Sequence, residues 1–161
     1  GMLYEGGIRT ALLIRWPGVA APGRQIDTPV SSPDYMPTLL EIAGVAPPKD
    51  VRLDGRSLVP ELRGTGKLQE RSLFWHYPHY GNQGGTPGAS VRSGDWKLIE
   101  FFEDGRLELY NLREDIEETQ NRAAEMPDTA RTLHASLQAW QKNVEAKFPS
   151  PNAAEAFHTG G

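Results

Sequence analysis

The sequence predicts an α+β fold: a four-stranded antiparallel sheet packed by a C-terminal helix and preceded by a separate strand-and-helix unit. Three observations predict it. Between residues 72 and 112 lie four short aromatic and β-branched runs, each set off by turn residues. After Pro127 the apolar period becomes helical, with Leu133, Leu137, Trp140 and Val144 at spacings of four, three and four. Residues 45–71 form a Pro-, Gly- and charge-rich connection that separates these runs from earlier residues of different character.

Taken in order, Gly6 and Gly7 suit a tight bend, because glycine reaches positive φ without a Cβ clash. Ile8–Trp16 then reads as a buried strand that Pro17-Gly18 stops, and an apolar run of this kind expects cover on both faces. In SSPDYMPTLLEIAG, Ser32 is a suitable N-cap, Pro33 fits the first helical position and Gly44 provides a stop. DGRSLVPELRG carries one helical turn around Leu58–Leu62. The strand runs are SLFWHY (72–77), ASVRSG (89–94), WKLIEFF (96–102) and RLELYNL (106–112), with Asp104-Gly105 as the hairpin signal between the last two. In the last run Leu107, Leu109 and Asn111 face one way, while Glu108, Tyr110 and Leu112 face the other. The tail FPSPNAAEAFHTGG has no periodicity.

Composition narrows the function. The chain has 161 residues, 38% of them hydrophobic, which is enough for one domain or a small domain with an appendage. Its net charge is -4 and its basic residues are scattered singly, which argues against nucleic acid as a partner. No run approaches the roughly 20 apolar residues of a membrane span. Cysteine is absent, which removes disulfides, zinc-thiolate sites and cysteine nucleophiles.

HYPHYGNQGG (76–85) is the richest candidate for chemistry. His76, Tyr77, His79, Tyr80, Asn82 and Gln83 give dense hydrogen-bonding capacity, and the glycines allow close approach to a ligand. The alternative is that the aromatic rings pack and the histidines cap backbone groups. His76-x-x-His79 is a poor zinc site, because Pro78 forbids a regular helix and His134 or His158 would have to be the third ligand. Arg92, Asp95 and Lys97 around Gly94 read as solvated strand charges, with a substrate-anion role for Arg92 or Lys97 as the alternative, and Asp115-x-x-Glu118 reads as a capping box. Gly88-Ala89-Ser90-Val91-Arg92 lacks the second glycine of a nucleophile elbow.

The succession YEGGIRTALLIRWPG, PDYMPTLLEIAG, LDGRSLVPELRG and WKLIEFFEDGRLELYNLREDIEETQN resembles the C-terminal third of type I sulfatases, arylsulfatase-like enzymes of the alkaline-phosphatase superfamily. The likeness runs from Leu3 to about Trp140. It implies that residues 1–65 are the terminal strand and helix of a large α/β catalytic domain plus a linker, and that residues 66–161 are the C-terminal subdomain. It implies an intact enzyme that hydrolyses sulfate esters with a formylglycine and calcium, both supplied outside this chain. Ser31-Ser32-Pro33-Asp34-Tyr35 imitates the C/S-x-P-x-R nucleophile motif but has Tyr35 in place of Arg, so no catalytic or metal residue carries over. Glu5 and Arg9 match the family's EGG-I-R and are expected as a structural ion pair near the pocket.

The same likeness makes His76, His79, Tyr80, Asn82 and Gln83 candidates for contacting the alcohol part of a sulfated small molecule or carbohydrate, with His76 the best placed to reach the leaving group. By family analogy the compartment is periplasmic or extracellular. The expected behaviour is a fragment that shapes the substrate pocket, is inactive alone and pairs as a homodimer through residues 8–16. The alternative is a free-standing glycan-binding or assembly module left by gene truncation.

Overall fold

The computed structural model describes residues 2–82 and 84–150. They fall into two units, one of residues 1–10 with 71–161 and one of residues 11–70.

The first unit is built on a sheet of β1 (Leu73–Tyr77), β2 (Gly88–Ser93), β3 (Trp96–Phe101) and β4 (Leu107–Asn111), all antiparallel and in sequence order. The four strands lie where the alternating runs place them. Gly94 (φ 57°) and Gly105 (φ 69°) occupy the left-handed positions that close the last two hairpins. Side chains alternate between faces, so β3 sends Leu98 one way and Ile99 the other. On the first face Ala89, Val91, Leu98 and Leu109 pack under Ala130, Leu133 and Leu137 of α4 (Pro127–Asn143). Phe74 stacks flat on Trp140 at 5.0 Å. The helix ends at Asn143, so Val144 is exposed and the sheet-facing stripe finishes on Gln141 instead.

The second face is covered by the start of the chain. Leu3 joins Ile99, Phe101, Tyr110 and Leu112, with Tyr4, Trp75 and Tyr77 around them. Fully burying one such large side chain is worth about 1.5–3 kcal/mol. That gain binds the start of the chain to the distant sheet. The Gly-Gly bend is in fact one turn of helix, α1 (Glu5–Ile8), and neither glycine has positive φ. Gly7 is required for a different reason: a Cβ there would strike the carbonyl of Met2.

The second unit contains a 3-10 turn (Ser32–Asp34), α2 (Tyr35–Ala43) and α3 (Val59–Arg63). Gly44 (φ 65°) and Gly64 (φ 70°) cap the two helices in the left-handed conformation. Polar groups hold it together. The Asp34 carboxylate accepts the Ser31 and Arg56 N–H groups, each at 2.8 Å, and Thr38 Oγ1 accepts Leu58 N–H at 2.9 Å. Glu61 accepts the Thr28 hydroxyl at 2.7 Å. The strand expected over Ile8–Trp16 does not form. Ile8 closes α1, and residues 9–16 have no regular structure, with Leu13 93% exposed. A strand needs a neighbouring ladder for its backbone groups, and none of the described residues provides one.

Candidate functional site

The loop between β1 and β2 starts where Pro78 ends the strand and is pinned at its far end by Phe102 N–H donating to the Pro87 carbonyl at 3.0 Å. Between these anchors it folds on itself: Gly81 N–H donates to Gly85 O (2.8 Å), and Gly84 takes φ 86°, which suits glycine. This displays His79, Tyr80 and Asn82 together on one exposed segment. The Tyr80 hydroxyl donates to Glu103 Oε1 at 2.7 Å, although Tyr80 is 69% exposed. His79 sets its ring edge-on to Tyr77 at 5.6 Å. Gln83 lies outside the described residues.

His76 does not join this group. It shares a face of β1 with Phe74, and its Nε2 donates to the Lys147 carbonyl at 2.8 Å. Its ring sits 5.4 Å from Phe102 and 5.3 Å from Phe148. Within this chain His76 packs on two rings and caps a backbone carbonyl. His134, the distant partner in the zinc reading, pairs with Glu100 at 3.1 Å.

A second cluster lies on the opposite face of the sheet. Lys97, expected as a solvated charge, is fully buried, with Nζ 3.0 Å from Glu5 Oε1 and 2.8 Å from Glu118 Oε1. Arg92 approaches Glu5 Oε2 at 3.8 Å. Glu118 also accepts the Glu5 backbone N–H, and it holds φ 55°, an uncommon left-handed conformation for a residue with a side chain. The ion pair expected between Glu5 and Arg9 is thus replaced: Arg9 is exposed and bonds Glu5 only through its backbone N–H to the Glu5 carbonyl, at 2.8 Å. The expected capping box does not form, because no helix begins at Asp115. Asp115 accepts from Thr119 and Gln120 N–H, which hold its carboxyl below the usual range, while Glu118 turns inward to Lys97. Period-two alternation was the signal for Lys97, which shares a face with Ile99 and Phe101. That signal becomes decisive only once residues 3–8 are known to cover the face.

Beside this clamp, the hydroxyls of Tyr4 and Tyr110 both donate to Glu108 Oε2, at 2.6 and 2.8 Å. Burial and then the bond to Glu108 push the Tyr4 phenol up to about 12. Burial and Glu108 push Tyr110 up as well.

The profile of the family described as "N-sulphoglucosamine sulphohydrolase, C-terminal" matches residues 1–143. The chain belongs to this family. A sulfatase of Formosa agariphila is 37% identical over 155 residues, covering 87% of this chain and 28% of the relative. Human arylsulfatase A is 46% identical over 106 residues, covering 65% of this chain and 20% of the relative. A solved structure of a protein with its substrate D-glucosamine-2-N,6-O-disulfate is 31% identical, with a TM-score of 0.60 over 72% of this chain and 24% of that one. The sheet with its terminal helix is therefore the C-terminal part of the sulfatase fold, and the chain spans less than a third of these relatives.

The calcium and formylglycine of the sulfatase family do not fit the residues present. The sequence has no Cys, and the carboxylate of Asp34, inside the one Ser-x-Pro segment that imitates the nucleophile motif, is bound by two backbone N–H groups. Among the described residues no three His, Asp or Glu side chains are grouped to hold a metal ion. No helix among them is long and apolar enough to cross a membrane.

Proposed function

We propose that this chain is the substrate-framing C-terminal subdomain of a sulfuric-ester hydrolase acting on a sulfated carbohydrate, and that it has no hydrolytic activity alone. The observation that carries this reading is the loop 78–87. It is anchored at both ends and displays His79, Tyr80 and Asn82, with Gln83 beside them in sequence, on a subdomain whose family is that of sulphohydrolases. Aromatic faces and neutral amide and imidazole groups are suited to sugar rings and hydroxyls. The nucleophile and the metal come from the rest of an intact enzyme, and His76 holds the strand from which the loop departs.

The test uses a polypeptide that joins this chain to a sulfatase catalytic domain. There Tyr80→Ala lowers kcat/KM for the sulfated sugar about tenfold or more with the melting temperature unchanged. Equal kinetics in the two proteins would remove the loop from substrate binding. The isolated chain, assayed on an aryl sulfate with and without calcium, gives only the blank rate.

A second reading, self-association of the isolated chain, is favoured by one observation: Leu12, Leu13 and Ile14 are exposed in sequence, at 38, 93 and 42%. A two-fold dimer through residues 8–16 would cover them. Light scattering at micromolar concentration distinguishes the dimer from a monomer.

A further inference from the structure

The loop carries an electrostatic feature that says which part of a sulfated sugar it can receive. From Ser72 to Val91 there is no Lys, Arg, Asp or Glu, although charged residues make up 24% of the chain. A site for an anionic sulfate group draws on Arg or Lys, whose charged donors match its oxygens. The fixed charges next to this loop are of the other sign. Glu103, at the β3–β4 turn, is exposed and holds the Tyr80 hydroxyl at 2.7 Å. Asp104 follows it, and the cation of that turn is already committed: Arg106 binds Asp104 at 2.9 Å and Glu108 at 3.0 Å, with its guanidinium 3.9 Å over the Phe101 ring. Lys147 meets β1 through its carbonyl, at His76.

We infer that the loop receives an uncharged, hydroxyl-bearing sugar ring, and that Glu103 is a specificity-determining residue that disfavours a sulfate or carboxylate at that position. This rests on the proposed role of the loop in sugar binding. A hydroxyl can donate to Glu103 and the ring can lie on Tyr80, whereas a sulfate brought to the same place meets a carboxylate that none of the cations described above pairs with. An exposed like-charge contact of this kind discriminates modestly and is screened by salt.

The experiment is an amide-resolved NMR titration of this chain with N-acetyllactosamine and with its 6-O-sulfated form. The expected result is shifts confined to residues 77–87 and an affinity about three- to tenfold weaker for the sulfated sugar. That ratio should fall towards one at about 0.5 M salt and in Glu103→Gln, an exposed substitution that leaves the fold intact. Equal or tighter binding of the sulfated sugar at the loop overturns the role of Glu103 and leaves the loop as a sugar site. An unchanged ratio in Glu103→Gln does the same. If neither sugar shifts the loop amides, the proposed sugar-binding role fails, and this inference fails with it.

Discussion

The sheet unit and residues 11–70 use their polar and apolar side chains in opposite ways. In the sheet unit both faces are apolar and covered, and the buried charges, Lys97 with Glu5 and Glu118, are enclosed by that apolar frame. In residues 11–70 the interior is organised by Asp34, Thr38 and Glu61, while Leu13, Met36 and Leu39 face outward at 93, 56 and 61% exposure. The first arrangement is a finished core. The second buries Leu58, Val59 and Leu62 beside these hydrogen-bonded side chains, but leaves uncovered much apolar surface of the kind that usually supplies most of a domain's stability. The difference teaches that one chain can hold a self-sufficient fold beside a unit whose local geometry is fixed and whose apolar face is not covered.

Four outcomes would break or sharpen this contrast. The largest is expected at Lys97. In Lys97→Ala, Glu5 and Glu118 are left buried without their cation, and removing one partner of such a group costs about 3–5 kcal/mol. Urea unfolding should show that loss together with release of residues 3–8 to proteolysis. A loss below about 1 kcal/mol would mean the apolar frame alone holds the start of the chain.

Next comes alkaline titration. The folded Tyr4 phenol ionises at about 12, above its ordinary 10.0, so the neutral form is favoured by folding. Its contribution is complete below pH 10 and is lost as pH rises from 10 through 12, and Tyr110, also pushed up, acts in the same direction. Ultraviolet absorbance of tyrosinate should rise with unfolding in that window and earlier in Glu108→Gln.

The histidines come third. His76→Ala removes a ring packed on two phenylalanines and a carbonyl bond, and should cost about 1–2 kcal/mol, whereas His79→Ala should stay within about 0.5 kcal/mol. Equal losses would erase the distinction between packing and display. The smallest effect is at the outward residues of the second unit: Leu13→Glu or Leu39→Glu should change stability by less than about 0.5 kcal/mol. A larger loss would show that these side chains are covered in solution. In a dimerising chain, Leu13→Glu should instead lower the scattering mass.

The sheet was legible residue by residue because its alternation, turn glycines and helical stripe are local signals, and strands and helix lie within a residue or two of where they point. The opening segment was misread for the opposite reason. An apolar run shows that burial is wanted, not by what. Leu3, Tyr4 and Glu5 find their cover on a sheet that begins some seventy residues later, and no local pattern encodes that pairing. The candidate site was half legible: composition marked out residues 76–85, but whether a histidine packs or is displayed depends on Phe102, Phe148 and the Lys147 carbonyl, all remote in sequence.

The burial of Lys97 makes the fold a chemical clock. Lys49, Lys67, Lys142 and Lys147 are exposed, and an amine-acylating reagent should modify them at the rate of a free side chain. Lys97 is sealed beneath α1 and Glu118, so its amine becomes available only when the first residues lift from the sheet. Mass spectrometry of reagent incorporated at this one position therefore reads the frequency of that opening, with the other four amines as the internal standard for dose.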